Sequence, residues 1–189
     1  MIKMRPSRIF RWIVRIFLLV FSLSLSAVSL LGGFSAVTVL DPDSYNIAIP
    51  DESEYPVSAN FNISNPSGMF INIPFNISNV GVYNLNEIVI GFQIRMTFGN
   101  ASTPLNDTTT VEILNENHEF GNIAHGDTLK ANFTATNFVN IPDPSTEVDW
   151  TRSPYVLEFY AGFTFSAWYS LNLYRFTVHV VNFSIGHYP

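Results

Sequence analysis

An all-β domain, an immunoglobulin/fibronectin-like antiparallel β-sandwich preceded by one N-terminal transmembrane helix, is the architecture the sequence predicts. Three observations predict it. Ile16 to Leu40 is a run of 25 residues without a charge, longer than a ~30 Å hydrocarbon core requires of a helix. Beyond Val57 apolar and polar residues alternate repeatedly with the period of half-buried strands. No sustained helical period follows residue 40.

Charge orients the apolar run. Lys3, Arg5, Arg8, Arg11 and Arg15 precede it, and all fifteen acidic residues lie at or beyond Asp41. By the positive-inside rule the basic tail, residues 1–15, is cytoplasmic, residues 16–40 are a signal anchor in the lipid bilayer, and the remainder is extracellular. Serines at 22, 24, 26 and 29 return their hydroxyls to helix carbonyls, and Gly32 and Gly33 are tolerated in a span. A cleavable signal peptide is the rival reading: Gly33-Phe34-Ser35 is a passable cleavage site, although the apolar core is longer than the usual ~7–15 residues.

The exported part carries four basic and fifteen acidic residues, a net −11, which argues against nucleic acid as a partner because phosphate neutralisation needs clustered Lys and Arg. The chain has no cysteine, so disulfides, thiolate nucleophiles and zinc–cysteine sites are excluded. Charged residues are only 13% of the chain, against roughly 25% in soluble proteins, as suits a membrane segment joined to a surface of uncharged polar groups.

Residues 41–56 read as an acidic, proline-containing stalk, and residues 57–189 as the sandwich. Ala59, Phe61 and Ile63 alternate with Asn60, Asn62 and Ser64 up to an Asn65-Pro66-Ser67-Gly68 turn. The second arm of this hairpin, Met69 to Asn79, contains Pro74, which predicts an edge strand or a bulge. Glu87 to Phe98 turns Ile88, Ile90, Phe92, Ile94, Met96 and Phe98 to one face. Shorter strands are expected near Thr109–Leu114 and Thr128–Asn137, separated by Gly121 to Gly126, and a surface loop at 142–149. Tyr155 to Phe165 alternates cleanly, a turn falls around Ser166–Leu173, and Phe176–Ile185 closes the domain, with Val180-Val181 shifting phase as a bulge does. The count is about seven strands.

Six Asn-x-Ser/Thr sequons, at Asn62, Asn76, Asn100, Asn106, Asn132 and Asn182, are candidate glycosylation sites. Chance supplies several in so asparagine-rich a chain. However, Asn62, Asn76, Asn132 and Asn182 fall opposite the apolar face of their segments and the other two fall in a loop, the exposure a glycan needs.

No catalytic, cofactor-binding or metal-ligating residue is expected. His118, His125, His179 and His187 form no zinc-type pair, and no Gly-x-Ser-x-Gly elbow or glycine-rich phosphate cradle occurs. The acidic groups Asp51-Glu52-Glu54 and Asp143/Glu147/Asp149 lack a calcium-loop pattern and read as solvated loops. Trp150, Trp168 and the tyrosines suit either a carbohydrate-stacking surface or core and rim.

A short basic tail, one span, a strand ending in Asn65-Pro66 and an alternating strand after it together resemble the membrane-anchored late embryogenesis abundant type 2 (WHy-like) β-sandwich proteins, over about residues 55–135. The family's usual third residue after Asn-Pro is Asn, where this chain has Ser67. The resemblance implies a non-enzymatic, fibronectin-like sandwich and no catalytic residue. The expected function is a non-enzymatic cell-surface domain with a surface protein or carbohydrate as partner. Alternatives are a filament subunit accepting a strand along Met69–Asn79 and a glycan-binding or glycan-active protein using carboxylates such as Glu87, Glu112 and Glu158.

Overall fold

The computed structural model describes residues 6–41, 44, 46–48, 57–100, 108–151, 157–169 and 171–188, with side chains for all of these except 6–11, 13, 181–183, 187 and 188. Among the described residues one α-helix, α1 (Pro6–Val39), is followed by eight strands, with a short 3-10 turn at Pro66–Gly68: β1 (Ile47–Ala48), β2 (Ser58–Asn60), β3 (Phe70–Ser78), β4 (Leu85–Gly99), β5 (Thr108–Ile123), β6 (Thr128–Ala135), β7 (Leu157–Tyr169) and β8 (Tyr174–Tyr188).

Proline suits the first turn of α1, where its missing N–H has no intrahelical acceptor to lose. The helix persists because straight-chain and small apolar residues dominate it, and it stops where Asp41-Pro42 follows. Within it Val14–Val39, 26 residues with mean hydropathy 2.2, is long and apolar enough to cross a bilayer. Ser24 Oγ donates to Val20 O at 2.8 Å, returning its hydroxyl to the helix as the sequence predicts.

The strands form two four-stranded antiparallel sheets. In one, β3 pairs with β6 along its length on one side and with both β1 and β2 on the other; the second has the order β5-β4-β7-β8. The sheets face each other across aromatic pairs: Phe75 of β3 lies edge-on to Phe120 of β5 at 4.9 Å, and Phe92 of β4 lies 5.9 Å from Phe133 of β6. The six apolar residues from Ile88 to Phe98 are all buried, as their alternation predicts.

Several expectations change. Ile47–Ala48, placed in the stalk by proline and charge, pairs with Ile77 and Asn76. β3 is not an edge strand: neighbours flank it on both sides, so the acceptor edge imagined for filament growth is occupied. Pro74 is accommodated because the Ser78 N–H points to the β1 side, toward Asn46 O at 2.7 Å. By the two-residue period the missing N–H of Pro74 points the same way, between the positions paired to β2 and those paired to β1.

β5 runs to Ile123 rather than Leu114. Its Asn115-Glu116-Asn117-His118-Glu119 stretch has poor strand propensity, but it pairs residue by residue with β4, and tertiary pairing overrides propensity there. A bulge opposite Ile94/Arg95 lets the consecutive Ile113 and Leu114 both be buried. β7 continues to Tyr169, so the last turn is shorter than the sequence suggests. The phase shift at Val180-Val181 matches an irregularity in the β7–β8 register between Ala161 and Phe163. Asn62 lies in a turn beyond β2 rather than in a strand, with its Oδ1 accepting from the Ser64 N–H at 3.0 Å.

Candidate functional site

Two features stand out: the seam where α1 meets the β domain, and an apolar cleft between the sheets. From Trp12 to Ala27 every described side chain of α1 is exposed, whereas Val28, Ser29, Gly32, Ser35, Ala36 and Val39 are partly or fully buried. Their spacing of three and four residues makes one stripe along the helix. Small residues at Ser29, Gly32, Ser35 and Ala36 let backbones approach closely, and Val39, fully buried, belongs to the core itself.

Polar contacts fix the seam. Val82 N–H donates to Ser35 Oγ at 3.1 Å, Asn46 Nδ2 donates to Thr38 O at 2.8 Å, and the hydroxyls of Ser29 and Tyr174 are hydrogen-bonded. The Ser29 contact lies ten residues before Val39, about 15 Å down the helix axis. Gly81 is required here: a Cβ would stand 2.1 Å from the Tyr169 hydroxyl and 3.1 Å from Ser35 Cβ. The Tyr169 hydroxyl in turn accepts the Tyr83 N–H at 3.1 Å.

Asn79, read from sequence only as the end of the arm Met69 to Asn79, organises this loop from the inside. It is fully buried. Its Nδ2 donates to Tyr83 O at 2.8 Å and Ile123 O at 3.2 Å, and its Oδ1 accepts the Gly81 N–H at 3.2 Å. Its own backbone pairs with Asp127 and Gly126. The two loops that touch the helix carry the exposed aliphatic side chains Val80, Val82, Leu171 and Leu173. Leu171 holds φ +60°, a conformation that costs a branched L-residue roughly 1–2 kcal/mol.

Between the sheets lies a cleft of about 450 Å³ lined entirely by apolar side chains, among them Val57, Ile73, Phe92, Phe133, Phe163 and Ile185. A second cavity of about 230 Å³ is lined by Val39, Leu40 and Asp41 at the end of α1 and by Ile47, Phe163, Phe165, Val178 and Val180. The two share Ile47 and Phe163. Water has no hydrogen-bond partner in so apolar a lining.

The titratable residues converge on no reaction centre among the described residues. His118 Nε2 lies 3.0 Å from Glu116 Oε2, and its ring stacks on Phe133 at 4.5 Å. His125 Nδ1 contacts Gly81 O, and His179 Nδ1 lies 3.1 Å from Thr164 Oγ1. The side chain of His187 and the group Asp51-Glu52-Glu54 fall outside the described residues. Asp143 is held by its own loop: Ser145 donates both its hydroxyl and its N–H to Oδ1 at 2.6 and 2.8 Å, and these bonds lower the Asp143 pKa. The three acids at 143, 147 and 149 gather no metal-binding group among the described residues.

Glu87 is exposed. Glu112 accepts from Gln93 and from Asn115, and Glu158 accepts the Tyr160 hydroxyl at 2.9 Å, which raises the tyrosine pKa. Glu112 and Glu158 stand on the strands either side of β4, paired with Arg95 and Thr97. They lie on the outer face of a sheet, away from the apolar cleft. Trp150 is partly exposed, its indole N–H donating to Pro144 O at 2.6 Å. Of the sequons, Asn62 and Asn132 are exposed, Asn76 and Asn100 are half-buried, and Asn106 and the side chain of Asn182 lie outside the described residues.

No family model and no curated protein sequence matches the chain. Among solved structures it is similar to the sporulation control protein Spo0M of Bacillus subtilis, at 12% identity and a TM-score of 0.32, over 60% of this chain and 42% of that one.

Proposed function

We propose that the protein is a non-enzymatic, single-pass cell-surface protein, with its amino terminus in the cytoplasm and an immunoglobulin/fibronectin-like β-sandwich held outside against the membrane as an interaction module. The observation that carries this reading is the integration of α1 into the domain. Val39 is core, Ser35 is buried and hydrogen-bonded, and Ser29 contacts the β7–β8 hairpin. Cleavage after Ser35 would separate Ser35, Gly32 and Ser29 from the surface they pack on, which supports a retained anchor over a leader.

Charge segregation supports the orientation. The exposed Val80, Val82, Leu171 and Leu173 face lipid when the seam lies at the membrane surface. Asn62 and Asn132, exposed on the β domain, are the sequons best placed to carry glycans. The resemblance to the type 2 late embryogenesis abundant sandwiches fits a non-catalytic role.

Mass spectrometry of the protein extracted from native membranes tests the anchor. The expected product retains residues 1–35 and resists extraction by alkaline carbonate. A mature form beginning near Ala36 in the soluble fraction overturns the reading.

A further inference from the structure

We propose that the β7–β8 hairpin is a second membrane element: its tip, around Leu171 and Leu173, dips into the outer leaflet of the lipid bilayer beside α1 and lays the domain on the membrane surface. The inference rests on the anchored reading above and adds a contact surface to it.

Depth along α1 leads there. About 20 helical residues cross a ~30 Å hydrocarbon core. Counted from Trp12, where the exposed run begins, that length ends at Leu31; counted from Ile16, the first residue after Arg15, it ends at Ser35. Ser29 falls inside both limits, and helix tilt moves both further along the chain. At ~1.5 Å per residue Ser29 lies roughly 3–9 Å below the outer boundary of the core, close to the 5–10 Å reached by interfacial elements. The Tyr174 hydroxyl is bonded to Ser29, whereas Val178 and Val180 of β8 lie with Val39 and Leu40, so the hairpin points toward the cytoplasmic end of the helix.

The opposite side of the helix agrees. Leu30, Phe34 and Val37 are largely exposed along the stretch that carries the seam, so that stretch itself needs an apolar solvent, and the hairpin shares its level. Its composition suits that solvent. No charge occurs from Phe159 to Tyr174, and Leu171, at φ +60°, leaves 72% of its surface exposed. Lipid supplies the contact that this side chain lacks within the domain. Arg175, the first charge beyond the tip, turns its guanidinium back to Ser166 Oγ at 3.2 Å, away from the tip.

The chain has no cysteine, so Leu171→Cys, Leu23→Cys and Thr108→Cys, made separately, each carry a single environment-sensitive fluorophore on the full chain in phosphatidylcholine nanodiscs. Thr108 lies at the other end of the sheet, paired with Gly99. Melting temperature confirms the fold, and Leu173→Cys takes the place of Leu171→Cys if that variant misfolds. Quenching is measured with iodide in the buffer and with a lipid nitroxide near the head-group end of the acyl chain. At position 171 the proposal expects iodide quenching about tenfold weaker and nitroxide quenching about threefold stronger than at position 108. The label at position 23, in the span, is expected to be quenched from lipid as well. Labels at 171 and 108 equally open to iodide, with the label at 23 quenched from lipid, overturn the insertion and leave the anchor standing. A label at 171 shielded from iodide and from lipid nitroxide alike overturns lipid as the occupant and shows that protein, such as a second copy of this chain, covers the tip. Absence of lipid quenching at 23 overturns the anchored reading itself.

Discussion

Val28 divides α1 into an amino-terminal part whose described side chains are all exposed and a shorter carboxy-terminal part with one face packed on the β domain. Leu23 and Leu25 in the first part expose 68% and 47% of their surface, whereas Ser35 and Val39 in the second expose 1% and none. The first part touches nothing else in the described protein along most of its length, so its large aliphatic residues need only an apolar solvent. The second part must fit a surface, and it does so with Ser29, Gly32, Ser35 and Ala36. Hydropathy registers these small residues only as a dilution of the span. In the structure they are what lets the helix approach the β domain.

The largest effect that sharpens this contrast is expected from Asn79→Ala. It strands the Tyr83 and Ile123 carbonyls and the Gly81 N–H in the interior, costing about 3 kcal/mol. Denaturant unfolding in detergent measures the loss, and protection of the second part of α1 from hydrogen exchange should fall with it, that of the first part remaining unchanged. Equal loosening of both parts breaks the comparison.

Next comes the same substitution made in each part. Ser35→Leu overpacks the seam against Gly81 and removes the acceptor of the Val82 N–H, a loss of roughly 2 kcal/mol. Ser24→Leu, on the exposed part, should stay within about 0.5 kcal/mol of the parent. Matching thermal shifts for the two would show that residue 35 is not docked in solution.

Tyr174→Phe deletes the hydroxyl that meets Ser29 and is expected to cost about 1 kcal/mol, read as faster proteolysis of the β7–β8 hairpin with the rest of the domain intact. The smallest effect lies away from the helix. The folded Asp143 has a lowered pKa, so its contribution to stability is complete above the ordinary carboxylate range and is lost as pH falls through the folded value. Asp143→Asn should therefore flatten the acid side of the melting-temperature profile slightly, whereas no change below pH 4 would show that the loop is already open.

Much of the fold was legible because a strand with one face in a core must alternate. Ile88 to Phe98, the Asn65-Pro66-Ser67-Gly68 turn and the slip at Val180-Val181 all announce themselves in this way. What escaped notice depended on partners distant in the chain. Ile47–Ala48 is too short to show a period. Asn115 to Glu119 is polar enough to pass for loop, and it is a strand because β4 lies beside it. Pro74 signals an unpaired N–H, and the structure supplies that gap inside the sheet rather than at its edge. Of the candidate site, the helix half of the seam was visible as residues without a purpose, and the cleft was not visible at all, since Ile73, Phe133 and Phe163 look like ordinary core positions.

The bilayer-length helix with charge segregated about it and the strands that build the rest of the described residues follow from local pattern, because transfer to lipid and burial of one strand face depend on composition and period. Only the packing of distant segments makes the helix part of the domain, sets Asn79 and Gly81 at its seam, and leaves an apolar cleft between the sheets. Those outcomes depend on how surfaces far apart in sequence fit together, and shape complementarity is not written in any single segment.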